Sequence, residues 1–393
     1  MADKSVATRR QAFKFRLYPN ANQERELGIM LETHRRLYNA CLEQRKTAYE
    51  KEKKSIYYGD QSAWFTKTKE SNDYYKRVNR SSAQATMRRL EKSFRNFFRR
   101  IKKGTGKPGY PRFKGRDYFD SVEFPAYGDG IKLKSGKLYV QNIGMVKIKL
   151  HRKIEGKIKI VTLKREAGCW YAAFSCELPA SKIKSNKPPV GIDVGLESFL
   201  TNSNGDHEPN PRYLKVELPE LRRKQRSVSR KKKGGKNRRK GVKRVQRLHA
   251  RVRNKRREHH HQVALKLVRR FGLIAAERLN IQGMLKNRRL ARAISGAGWA
   301  GFLSTLRHKA IKVGAAFVEV DAKGTSQECS GCGKLVPKTL KDRWHSCPHC
   351  HLSLHRDHNS ALVILKRALA RTEPTGPETR ALVSSGVPRS RRL

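Results

Sequence analysis

The sequence predicts an α+β multidomain protein: a β-rich, barrel-like half interrupted by helices, then an α/β half carrying a small cysteine-built insertion. Three observations carry this expectation. Between residues 116 and 180, short runs of alternating apolar and polar residues are separated by glycine turns. After Val190, apolar strand-like runs alternate with helical stretches. Near the C-terminus, Cys329-x-x-Cys332 and Cys347-x-x-Cys350 stand 14 residues apart, as paired knuckles of a metal site do. A chain of 393 residues with 37% hydrophobic content can bury more than one core.

In chain order, AFKFRLY (12–18) alternates as a half-buried strand, with Phe13, Phe15 and Leu17 on one face. Pro19 ends it, and Asn20 with Gln23 forms a capping-box pattern. Leu27, Met30, Leu31, Leu37, Tyr38, Cys41 and Leu42 then recur at helical spacing. A second helix is expected from about Ser81, with Met87, Leu90, Phe94, Phe97 and Phe98 inward and a basic outer face that includes Arg88 and Arg95. After the Gly/Pro-rich GTGKPGYPRFKG, strands are expected in SVEFPAY, KLYVQNI, MVKIKL, KIKIVTLKRE and CWYAAFSCEL. SKIKSNKPP (181–189) reads as a linker. VGIDVGL, GLIAAERL and AAFVEVDA read as strands of the α/β half, and residues 371–393 as a disordered tail.

Charge narrows the function classes. Ninety Lys and Arg oppose 33 Asp and Glu, a formal net charge of +57, which self-repels in the folded state unless a polyanion is bound. Nucleic acid is the expected partner. No run is long and apolar enough for a membrane span and the N-terminus lacks the apolar core of a signal peptide, so the expected location is the prokaryotic cytoplasm, at the nucleoid when DNA-bound. Residues 222–257 hold twenty Lys or Arg and no acid, yet Val242, Val245, Leu248 and Val252 keep helical spacing. GGKN (234–237) should break this run into two basic helices lying along a nucleic-acid backbone, presenting Lys231, Lys232, Lys233, Arg238, Arg239 and Lys240.

Four thiolates leave no open position on zinc, so Cys329, Cys332, Cys347 and Cys350 point to a structural ion. The second knuckle, Cys-Pro-His-Cys-His, lacks the usual glycine after its last cysteine, which leaves His349 or His351 as competing ligands and a metal-free arrangement as a further alternative. The chemistry must then lie elsewhere. Asp193 interrupts an apolar strand where turn chemistry is the ordinary explanation. Glu277 ends a second apolar strand and Asp357 begins a helix just past the cysteines. Three such acids, in a chain with few acids, are what two Mg²⁺ ions need to activate water at a phosphodiester. A ribbon inserted before the last helix would brace the loop that delivers Asp357.

In order and spacing, VGIDVGLESFLTNSNG, LIAAERLNIQGMLKN, the four-cysteine ribbon and RDHNSALVIL resemble the RuvC motifs and zinc ribbon of the TnpB family. Its members are transposon-encoded RNA-guided nucleases related to type V CRISPR effectors. AFKFRLYPNANQE, LYNACLE, FFRRIKKGTGKPGYPRFKG and KIEGKIKIVTLKRE are similar to that family's N-terminal half, so the resemblance spans residues 12–368.

The resemblance implies a wedge β-barrel (1–19 and 116–180), a helical recognition insert (20–115), a linker (181–189), an RNase H-like RuvC domain (190–322 and 353–370) and a zinc ribbon (323–352). It implies Asp193, Glu277 and Asp357 as catalytic Mg²⁺ ligands, the four cysteines as Zn²⁺ ligands, and Gln84 near the contact to a short transposon-adjacent motif. It also implies a guide RNA and double-stranded target DNA as partners of a monomer or weak dimer. The usual Asp-Arg-Asp reads His355-Arg356-Asp357 here, and the retained acid is the second. Alternatives are a catalytically silent RNA-guided repressor, a small type V effector and a transposase using the same acids.

Overall fold

The computed structural model describes residues 8–104, 108–116, 118–179, 185–339 and 342–372. Residues 181–184 of the expected linker and 373–393 of the expected tail lie outside them. The chain forms two compact units, Met1–Ala180 and Ser181–Leu393.

The first unit begins with β1 (Thr8–Tyr18) and four helices, α1 (Ala21–Glu52), α2 (Tyr58–Lys69), α3 (Asp73–Lys76) and α4 (Arg80–Lys103). Six strands follow: β2 (Ser121–Phe124), β3 (Ile131–Lys134), β4 (Lys137–Val140), β5 (Gly144–Lys149), β6 (Lys157–Glu166) and β7 (Cys169–Pro179). They form one antiparallel sheet in the order β2-β6-β7-β1-β5-β4-β3. Its edge strands β2 and β3 are consecutive in sequence, so the short connection between them forces the sheet to roll. Within that connection the Tyr127 N–H donates to Lys159 O and the Gly128 N–H to Ile131 O. The result is a nearly closed barrel in which β2 and β3 do not pair with each other.

Phe13, Phe15 and Leu17 of β1 are buried inside this unit with Phe124, Trp170 and Phe174. The expected capping box is present: the Gln23 N–H donates to Asn20 Oδ1 at 2.8 Å and the Asn20 N–H to Gln23 Oε1 at 3.2 Å. Such a cap contributes ~1 kcal/mol. Leu27, Leu31, Leu37 and Cys41 of α1 and Met87, Leu90 and Phe94 of α4 share one core with the barrel. Phe98 corrects the sequence reading, for it is 59% exposed. The last turns of α4 run past the core, where Phe97 and Phe98 pack on each other and Phe97 on Tyr110.

The second unit contains β8 (Pro189–Asp193), β9 (Ser198–Asn202), β10 (His207–Pro209), α5 (Tyr213–Ser229), α6 (Lys236–Arg270), β11 (Leu273–Glu277), α7 (Ile281–Met284), α8 (Ala291–Ala297), α9 (Trp299–Val313), β12 (Ala316–Val320), β13 (Trp344–Ser346), β14 (Ser353–His355) and α10 (Arg356–Thr372). Its main sheet has the order β10-β9-β8-β11-β12, antiparallel from β10 to β8 and parallel from β8 to β12. This is an RNase H-like α/β arrangement.

Both faces of that sheet are covered, which explains why its strands read as nearly continuous apolar runs. Along β11, Ile274 and Ala276 pack in the core that includes Phe302 and Leu306 of α9, while Ala275 packs with Ile364 and Ala368 of α10. Gly191 sets the approach of α10, because a Cβ there would lie 2.0 Å from Ala361 O and 2.8 Å from Leu365 N. Only glycine admits that contact.

The sequence reading missed α2, α3, β3, β9 and β10. β9 follows β8 within a few residues, and a short run of SFLTN blends into VGIDVGL without a strong turn signal. No helix among the described residues is long and apolar enough to cross a membrane.

Candidate active site and metal centre

Asp193 and Glu277 end the adjacent parallel strands β8 and β11, one position beyond the paired Ile192 and Ala276. Parallel pairing therefore delivers both carboxylates to the same edge of the sheet. Asp357 sits in the first turn of α10, where a carboxylate also complements the helix N-terminus. Its Oδ2 would lie 3.8 Å from a Cβ at Gly195, in the loop that follows Asp193. The three acids of the sequence reading thus converge at one end of the sheet.

Their electrostatics show how crowded that end is. Asp193 is held protonated well above the usual carboxylate range, chiefly by burial and then by the negative charges of Glu277 and Asp357, with Arg356 opposing. Burial also raises Glu277, opposed by a hydrogen bond from Thr325 and the charge of Arg367. Buried and half-buried carboxylates that repel one another are groups whose charge a divalent cation would offset.

Two of the three acids have a positioning side-chain contact. Thr325 Oγ1 donates to Glu277 Oε1 and is held in turn against Ala322 O at 3.1 Å. Arg356 forks onto a single oxygen of Asp357, with Nε and Nη2 both 3.2 Å from Oδ1. Sequence reasoning missed Thr325; no spacing rule links it to Glu277.

The four cysteine sulfurs all lie within 4.8 Å of one another. Cys329 Sγ is 3.5 Å from Cys350 Sγ, and Cys332 Sγ 3.6 Å from Cys347 Sγ. Zn–S bonds of about 2.3 Å at tetrahedral angles put sulfurs roughly 3.8 Å apart, so the set fits zinc. His349 and His351 are outside this group.

The two knuckles are near copies. The Cys329 N–H donates to Lys334 O and Cys329 O accepts from Gly333, while the Cys347 N–H donates to Leu352 O and Cys347 O accepts from His351. His351 takes the left-handed conformation, φ 58°, that Gly333 takes at 76° in the first knuckle. The expected glycine is replaced, and its backbone geometry is kept.

The ribbon is tied to the helix that carries Asp357. Asn359, fully buried, accepts from the Ser330 N–H at 2.9 Å and donates to Glu328 O at 2.7 Å. Arg367 of α10 donates to Glu328 Oε2 and to the carbonyls of Asp321 and Lys323.

The basic run forms the hairpin of α5 and α6, broken at Gly234 with φ 82°. Gly241 lets the helices close, since a Cβ there would lie 2.9 Å from Val228 Cγ2. A groove of about 380 Å³ is lined by Arg223, Lys224, Lys231, Lys240 and Arg244, with no acid. Lys231 also donates to Ser227, and Arg238 to Val228 O, so those two are partly engaged within the hairpin. Lys232, Lys233, Arg239 and Lys240 are exposed. In the first unit Gln84 is half-buried on α4, Arg95 is exposed, and Arg88 lies over the Tyr58 ring at 5.0 Å.

Comparison with known proteins agrees with this architecture. Residues 173–288 match the OrfB_IS605 family described as "Probable transposase", and 299–364 match the Cas12f1-like TNB domain. Residues 9–54 match a helix-turn-helix description, although here they form β1 and one long helix. A protein of Streptomyces pristinaespiralis named as an RNA-guided DNA endonuclease is 32% identical over 92% of this chain and 90% of its own length. The Escherichia coli protein InsQ, named likewise, is 28% identical over 91% of this chain and 92% of its own. Among solved structures, a Cas12f1 chain in complex with single guide RNA and target DNA shares the fold, at TM-score 0.55 and 15% identity, over 91% of this chain and 98% of that one. With a relative 32% identical over 92% of this chain and 90% of its own length, this chain belongs to the TnpB family of RNA-guided DNA endonucleases.

Proposed function

We propose that the chain cuts both strands of a DNA selected by a bound guide RNA, next to a short transposon-adjacent motif, at one RuvC-type site where Asp193, Glu277 and Asp357 hold magnesium. The convergence of those three acids at one sheet end, from the ends of two adjacent parallel strands and the start of α10, is the observation that carries this reading. Magnesium bound there supplies an activated water and offsets charge on the phosphate and the leaving oxygen.

The chain's own residues prepare the site. Thr325 engages one oxygen of Glu277 and Arg356 one oxygen of Asp357, so each acid keeps its other oxygen for a cation. Asp193 binds metal as its carboxylate, and burial raises its pKa, so metal affinity should rise with pH. The four thiols hold structural zinc, and the α5–α6 groove binds RNA or heteroduplex through the backbone. Gln84, Arg88 and Arg95 are proposed contacts of the N-terminal unit to nucleic acid.

The test is reconstitution. Protein purified with its co-purifying RNA, given magnesium and a plasmid carrying the matching target, should linearise it. The Asp193→Ala protein should bind that plasmid and leave it intact. Cleavage that survives ribonuclease treatment before target addition would instead favour a transposase.

A further inference from the structure

We propose that Trp344 is a stacking platform for a nucleobase of the DNA strand being cut, seating that strand so that a neighbouring phosphate meets the acids. The inference rests on the nuclease reading above and names a binding residue within it.

Of the chain's four tryptophans, Trp170 and Trp299 are buried, Trp64 is half-buried and Trp344 is 57% exposed. An exposed indole is ordinarily free to turn, but here Nε1 donates to Ser353 Oγ at 2.7 Å. The hydrogen bond restrains the ring while more than half of the residue stays exposed to solvent. A tryptophan serving the ribbon's own packing would be covered; in this hairpin the covered neighbour is His345, with no exposed surface.

Position supplies the second argument. Trp344 pairs across the β13–β14 hairpin with His355, from which the chain passes directly through Arg356 to Asp357. The two rings meet edge to face, with centroids 6.4 Å apart at 85°. The His355 ring is in turn 5.9 Å from His207, whose Nδ1 lies 3.1 Å from Thr201 Oγ1, and Thr201 is the register partner of Asp193. A line of rings therefore runs from Trp344 along the rim that carries Asp357 and Asp193.

The hairpin is held to that rim. Arg343 Nε lies 3.2 Å from Glu197 Oε2, in the loop after Asp193, and Arg343 O accepts from the Arg356 N–H at 2.9 Å. A restrained, exposed aromatic ring beside paired cations and carboxylates suits a single strand, because every base has a π-face and stacking tolerates sequence. A nuclease directed by a guide needs that tolerance at the cut.

The test uses complexes of protein, guide RNA and target DNA assembled without metal, with cleavage started by adding magnesium. Single abasic residues are walked across the cut region of one strand. Trp344→Ala should slow cleavage roughly 5- to 100-fold, with target binding and zinc content equal to the parent protein. Trp344→Phe should retain most of the rate, and Ser353→Ala, which frees the indole, should slow it less than the alanine at 344. One abasic position should slow the parent protein by a factor like that of Trp344→Ala and add nothing in that variant. An unchanged rate in Trp344→Ala, or abasic effects that multiply fully with it at every position, would overturn the proposal.

If the parent protein itself fails to cut, the nuclease reading has failed, and a binding readout decides the platform separately. Single-stranded oligonucleotide in calcium should then quench an emission component that Trp344→Phe lacks. No such quenching removes the platform as well.

Discussion

Asn359 and Ser330 are joined by a hydrogen bond from the Ser330 N–H to Asn359 Oδ1 at 2.9 Å, which fastens the residue after the first ribbon cysteine to the residue two places past Asp357. The same amide donates to Glu328 O, so it grips the chain on both sides of Cys329. The cysteine ribbon and the placement of Asp357 are thereby linked through one buried side chain. Asn359→Ala should leave two backbone groups without partners, at a cost of roughly 1–3 kcal/mol each. Cleavage should fall while zinc content stays at the parent level, as metal analysis and single-turnover rates would show; parent-level cleavage would mean the ribbon does not position Asp357.

Replacing Cys329 and Cys332 together with Ser removes half of the thiol set and should release the metal, because ribbon binding energy is folding energy. The second unit should melt lower, with faster hydrogen exchange at the start of α10. Full zinc occupancy in the double variant would show the ligand assignment wrong.

Asp193→Ala, Glu277→Ala and Asp357→Ala should each abolish cleavage and leave guide-dependent DNA binding nearly intact, as the proposal that they hold the cation and not the strand requires. Cleavage and filter binding measured on the same preparations separate the two effects. A variant that still cuts removes its residue from the site.

His34 gives a pH dependence in the first unit. It is buried, with Nδ1 2.8 Å from Thr86 Oγ1 and Nε2 3.3 Å from Ser82 Oγ, and burial pushes its pKa down to about 3. Below the ordinary histidine pKa of about 6.5 the unfolded chain gains a proton that the folded unit refuses. Stability should therefore fall as pH drops from 6.5 toward 3, by up to about 1.4 kcal/mol per pH unit. Hydrogen exchange of α1 and α4 amides in the full chain, at pH 7.5 and 5.5, should show this slope, and His34→Gln should flatten it.

Changing Lys231, Lys232, Lys233, Arg238, Arg239 and Lys240 to Gln should weaken RNA or heteroduplex binding. The logarithmic salt slope should become shallower, by roughly 0.7 to 0.9 per lost phosphate contact. Because Lys231 and Arg238 are partly engaged inside the hairpin, the exposed four should account for most of the change. Unchanged affinity and slope would make the run a solvated surface.

The sequence by itself determined the local features: the Asn20 capping box, the inward face of β1, the two basic helices parted at Gly234 and the paired knuckles. Each depends on neighbours within a few positions, where periodicity and turn chemistry act directly. It also marked Asp193, Glu277 and Asp357 as acids out of place in apolar or basic surroundings. Their meeting was decided only by tertiary structure, because it depends on β8 and β11 lying parallel and on Gly191 admitting α10. The contacts of Thr325, Asn359 and Trp344 were invisible for the same reason. A side chain's partner across the fold is set by strand order and register, and single residues of common type leave no period by which to find it.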